Sequence, residues 1–87
     1  MTAQIKEYAA LLMTISDIAV LIGADEDDLK EKIADKTTQE SKAYHLGRAE
    51  TTLEIHRQEI DLAKAGSPMA VELVQEYLTD QLLNENA

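Results

Sequence analysis

Apolar residues recur at helical spacing along nearly the whole chain, and no stretch alternates apolar and polar residues long enough to predict a strand. Ile5, Tyr8, Ala9 and Leu12 share one face, which predicts a first helix over about residues 3–12. Thr14 is placed to cap a second helix, with Asp17 three residues on to reach back and Met13 and Ile18 set as a hydrophobic staple. That helix runs to about Ile22 and stops at Gly23, a natural left-handed exit. The device then repeats. Asp25 caps, Asp28 stands at the third position and Ala24 lies opposite Leu29, predicting a third helix over about residues 26–35. A polar connector follows, then a long helix over about residues 41–65, in which Gly47 is tolerated at about 1 kcal/mol relative to Ala. Gly66 closes it, Ser67 caps a last helix, and Pro68 takes its first position. The last helix extends to about Leu83, and residues 84–87 form a frayed tail.

The expected fold is all-α, an N-terminal helix-turn-helix followed by a long antiparallel helical hairpin. Residues 1–36 hold the helix-turn-helix unit. Ala19, four residues before Gly23, is small enough for close crossing, and Ile18, Ile22, Leu29 and Ile33 supply the apolar contacts. Many αα corners share this pattern without binding DNA. Residues 41–83 hold the hairpin. Leu46, Leu53 and Ile60 recur every seven residues, with Ala49, His56 and Ala63 in the complementary seam. Ile55 and Leu62 lie on roughly the opposite side of the same helix, and one helical partner covers only one side. In the last helix Val71, Val74 and Leu78 form a line that Leu73, Tyr77 and Leu82 broaden. This points to a homo-oligomer, with Leu46, Leu53, Ile55, Ile60, Leu62, Val74, Tyr77 and Leu78 as the self-assembly residues. The alternative is one compact five-helix monomer.

Charge narrows the partners. Eight basic residues against seventeen acidic ones give a net −9 in 87 residues, so nucleic acid and anionic membranes repel the chain as a whole. No Cys, Trp or Phe is present, which excludes disulfide scaffolds and Cys-ligated metal, and three Tyr leave little for base stacking. No apolar run approaches the roughly 20 residues that span a bilayer, and no secretory pattern opens the chain, so no membrane partner and a cytoplasmic location are expected. Nothing resembles a phosphate loop, a nucleophile elbow or a His-Glu-x-x-His site, and the chain is not expected to be an enzyme or to carry a cofactor. His45 and His56 stand about 16 Å apart along one helix and cannot share a metal within a chain. Asp25, Asp27 and Asp28 lack the Gly and distal Glu of a calcium loop. The third helix opens Asp25-Glu26-Asp27-Asp28, an unfavourable face for base reading. The options left are weak binding by a ring of copies, a helix-turn-helix used as a protein contact, or DNA contact through Lys36, Lys42 and Arg48; Lys30 and Lys32 complete the candidate DNA-binding set, and an ordinary solvated face is the alternative for all these lysines.

Three segments carry a family resemblance. They are Ile18-Ala19-Val20-Leu21-Ile22-Gly23, Ala43-Tyr44-His45-Leu46-Gly47-Arg48-Ala49-Glu50, and Leu62-Ala63-Lys64-Ala65-Gly66-Ser67-Pro68-Met69-Ala70-Val71. Over about residues 14–83 the chain resembles a small terminase subunit of tailed bacteriophages. The resemblance implies a DNA-packaging adaptor in a bacterial host cell. Residues 16–33 would face double-stranded viral DNA, residues 41–83 would assemble the oligomer, and the large terminase subunit would be the partner carrying ATPase and nuclease. The chain departs from the family pattern in its acidic third helix and in how little follows Leu83. The rival expectation is a non-enzymatic acidic interaction or regulatory module whose helix-turn-helix binds no DNA.

Overall fold

A computed structural model describes residues 1–85. Five helices and no strand occur among them: α1 (Thr2–Ala10), α2 (Ile15–Ile22), α3 (Glu26–Ala34), α4 (Gln39–Lys64) and α5 (Pro68–Glu85). The chain divides into two compact units, Met1–Thr52 and Leu53–Ala87.

In the first unit the capping residues act as their chemistry dictates. Thr14 Oγ1 accepts from the Asp17 N–H and Asp25 Oδ1 from the Asp28 N–H, each at 3.1 Å. Gly23 takes the left-handed conformation at φ 73°. The Ala24 N–H then bonds the Ala19 carbonyl at 2.9 Å, closing the exposed end of α2. Ile5, Ala9, Ile18, Ala19, Leu29 and Ile33 form the buried core. Ala19 is 1% exposed, the close-packed position that its size permits.

Three features differ from the expectations. First, α1 ends at Ala10, and Leu12 leaves the apolar face. It sits at φ 61° and is about half exposed. The Met13 N–H still reaches the Tyr8 carbonyl at 3.2 Å, so Leu12 fills the left-handed position that Gly23 fills after α2. The immediate start of α2 at its Thr14 cap leaves no room for a further turn of α1.

Second, α4 begins at Gln39, two residues early. Thr38, rather than Ser41, is the effective cap: its Oγ1 accepts from the Ser41 N–H at 3.1 Å and donates to the Lys32 carbonyl at 2.6 Å. The Asp35 carboxylate fixes the turn before it by accepting from both the N–H and the hydroxyl of Thr37, at 3.0 and 2.7 Å.

Third, the division of the chain falls inside α4, after Thr52, and not at the connector. The cause is a close crossing of α1 over α4 at Gly47. A β-carbon at Gly47 would overlap the Lys6 carbonyl oxygen and lie 3.1 Å from both Ala10 N and Ala9 Cβ. One turn on, the Thr51 hydroxyl donates to the Ala10 carbonyl, a helix-end acceptor that α1 itself leaves open. Lys6 Nζ and a Glu50 carboxylate oxygen pair at 3.4 Å beside it. Ala43 and Tyr44 of α4 consequently pack against the core.

In the second unit, Gly66 at φ 98° reverses the chain, with the Ser67 N–H bonded to the Leu62 carbonyl at 3.1 Å. Ser67 Oγ accepts from the Ala70 N–H at 3.4 Å. The His56 and Tyr77 rings stack at 3.9 Å, which brings α5 back along the C-terminal part of α4. Ala70 is the buried residue of this pairing. The helix continues through Asn84 and Glu85, residues expected to fray, while Asn86 and Ala87 lie outside the described residues.

Gly47→Ala tests the crossing. Ala is the better helix former by about 1 kcal/mol. Its methyl meets backbone that can yield only by moving α1, so the variant is expected to lose about 1–3 kcal/mol of stability in a urea melt. A gain in stability would show that α1 does not approach α4 this closely.

Candidate nucleic-acid and assembly sites

The five basic residues expected at DNA do not form one surface. Lys30 lies on α3 with its ammonium 3.0 Å from Glu26. Arg48 holds its guanidinium 5.6 Å from the centre of the Tyr44 ring, a cation–π arrangement against the core edge. Lys36 and Lys42 line a shallow hollow of about 330 Å³ with Ser41 and His45. The Lys32 backbone carbonyl receives the Thr38 hydroxyl at the same turn. Lys36 and Lys42 thus meet where α3 hands over to α4. Among the described residues the only ion pairs are Lys6–Glu50 and Lys30–Glu26, so no carboxylate neutralises this corner within 4.0 Å.

The start of α3 is the opposite environment. Asp25, Glu26, Asp27 and Asp28 are all exposed. The Ser16 hydroxyl donates to Glu26 Oε1, tying the first turn of α2 to that of α3. This hydrogen bond, and secondarily Lys30, holds the Glu26 carboxyl below its ordinary pKa; Lys30 is raised in return by Glu26. The Asp35 carboxyl is likewise lowered by the two hydrogen bonds from Thr37. Both carboxylates are therefore fixed as anions in the folded chain. The end of α3 that would enter a DNA groove stays negative, and Lys30 is committed to Glu26.

The apolar residues expected in self-assembly fall into two groups. Val74 and Tyr77 are half-buried, Tyr77 against His56, so they serve the pairing within the second unit. Leu53, Ile55, Ile60, Leu62 and Leu78 remain exposed there: Leu53 and Leu78 at 56% and Leu62 at 52%. Leu46 is exposed on the first unit. Leu53 with Ile60 and Ile55 with Leu62 occupy roughly opposite sides of α4, so the apolar surface left open is not one edge. Val71 and Leu82 on α5 add to it.

Among the described residues no group of three His, Asp or Glu side chains converges as a metal site, and no helix is long and apolar enough to cross a membrane. Sequence reasoning gave no role to Lys6. It reaches α4 only through the Gly47 crossing, and nothing local to residues 2–10 signals that. No family model, curated protein or solved structure matches the chain.

The pinned carboxylates carry a pH signature. A carboxyl lowered on folding adds stability that is complete above its unfolded pKa and is lost as pH falls through the folded one. For Glu26 and Asp35 this places the loss below about pH 4. Glu26→Gln should therefore melt below the wild type at neutral pH, with the gap closing as pH drops through that window. A gap that is constant with pH would show that Glu26 makes no charge-dependent contact.

Proposed function

We propose that the chain is a non-enzymatic, self-assembling adaptor that engages double-stranded DNA, as the resemblance to small terminase subunits implies. In this reading α2 and α3 form a helix-turn-helix and α4 and α5 an assembly hairpin. The observation that carries it is the apolar surface left open on the second unit. Leu53, Leu62 and Leu78 are each more than half exposed, and one partner helix cannot cover both apolar sides of α4. Burying such a surface between copies returns roughly 25 cal/mol for each Å² removed from water. Many copies also multiply a weak contact with a polyanion, which suits a chain whose basic groups are few. The contact with phosphates falls to Lys36 and Lys42 at the α3–α4 corner, and not to the first turn of α3. The large terminase subunit is the partner that the same resemblance implies.

The rival reading is an acidic interaction module without DNA binding. The Ser16–Glu26–Lys30 arrangement favours it, because it fixes negative charge where a recognition helix would meet bases.

Salt separates the two readings. DNA binding should weaken as salt rises, with log K falling by about 0.9 per phosphate contact for each unit of log salt. Lys36→Glu should flatten that slope. Absence of duplex binding at low ionic strength, with the oligomer present, favours the interaction module. Leu53→Asp should shift the assembly toward single chains, and an unchanged size distribution would remove Leu53 from the interface.

A further inference from the structure

The Gly47 crossing creates a second feature in the first unit. Between α1 and α4 runs an open groove of about 370 Å³. Ala3, Ala43 and Leu46 form its apolar floor, and Lys6 and Lys42 stand at its rims. Leu46 is about half exposed on that floor. Lys6 is paired with Glu50 at 3.4 Å, so Lys42 is the groove cation without an ion pair among the described residues, in a chain with more than twice as many acidic as basic residues. The groove's shape and chemistry suit a third helix laid into the trough between two, provided that helix is apolar on its contact line and acidic beside it.

The chain contains such a helix. No Lys, Arg or His occurs in α5. Met69, Glu72, Glu76, Asp80 and Leu83 follow one another at three- and four-residue spacing and share a face. Met69 and Leu83 are exposed at 76% and 66%, and Glu72, Glu76 and Asp80 are exposed between them. Like charges one turn apart work against the helix that carries them, which a cationic partner would relieve.

We propose that the α1–α4 groove receives the Glu76–Asp80–Leu83 face of α5 from a second copy of this chain. Leu83 meets Leu46, and Glu76 and Asp80 meet Lys42, with Lys6 shared between them and its own Glu50. The two surfaces differ, so the contact is heterologous: each copy offers one groove and one helix, and copies join head to tail. This inference rests on the self-assembly reading and assigns it a specific interface, separate from the Leu53 surface.

The test is light scattering of the full-length chain and its charge-swap variants over a concentration series, with circular dichroism melts confirming that each variant folds. Lys6→Gln with Lys42→Glu should weaken association by about tenfold or more, as should Glu76→Lys with Asp80→Lys. The four changes together should restore it. Leu83→Asp, at an exposed position that folding does not need, should weaken it as well. A four-fold variant as weak as either pair, or a lysine pair of unchanged size, overturns the groove interface while leaving self-assembly standing. Loss of duplex DNA binding by the lysine pair with assembly intact would assign the groove to phosphate instead. A change in melting temperature without a change in size would mean capture within one chain, which also contradicts the proposal. A wild type that stays single at every concentration would instead remove the self-assembly reading.

Discussion

The first unit depends on one close approach. α1 can lie on α4 only because position 47 has no side chain; a methyl there would occupy the place of the Lys6 carbonyl. From that contact follow the Thr51 bond to the open end of α1, the Lys6–Glu50 pair, and the packing of Ala43 and Tyr44 against the core formed by α1, α2 and α3. The same contact gives the groove lined by Lys6 and Lys42 its two walls. Glycine in a helix interior is disfavoured by about 1 kcal/mol, and here it is retained for packing.

Charge is distributed in a way that separates the surfaces. The first turn of α3 and the outer face of α5 are acidic, and the α3–α4 corner is basic. Two of the lysines and one of the two arginines are already engaged: Lys6 by Glu50, Lys30 by Glu26, and Arg48 by Tyr44. Exposed pairs of this kind add little to stability. Their effect is on which cations stay free for a partner. Lys36 and Lys42, which have no ion pair among the described residues, lie beyond the end of α3 and not at its start.

Short-range chemistry was legible in the sequence and long-range chemistry was not. Thr14, Asp25, Gly23, Gly66 and Ser67 act on neighbours within a few residues, and their side chains declare those roles. The end of α1 was hidden because a leucine stands where a left-handed turn normally recruits glycine. The start of α4 was hidden because two adjacent threonines and Asp35 cap cooperatively, which moves the boundary ahead of Ser41. Gly47 read as a tolerated defect, since its partners Lys6, Ala9 and Ala10 lie some forty residues away. The Lys30–Glu26 pair follows from i,i+4 spacing, whereas the Ser16–Glu26 bond required the turn at Gly23 to bring two helix starts together. The exposed leucines were legible as a surplus, because α4 carries apolar residues on two sides and α5 covers one.

That surplus makes association the centre of the account. Sedimentation velocity of the unaltered chain, over a concentration series at moderate salt, addresses it without any substitution. Self-assembly predicts a weight-average mass that climbs with concentration beyond that of one chain. A mass fixed at one chain throughout, with Leu53 and Leu78 still open to solvent in hydrogen exchange or chemical labelling, would contradict it.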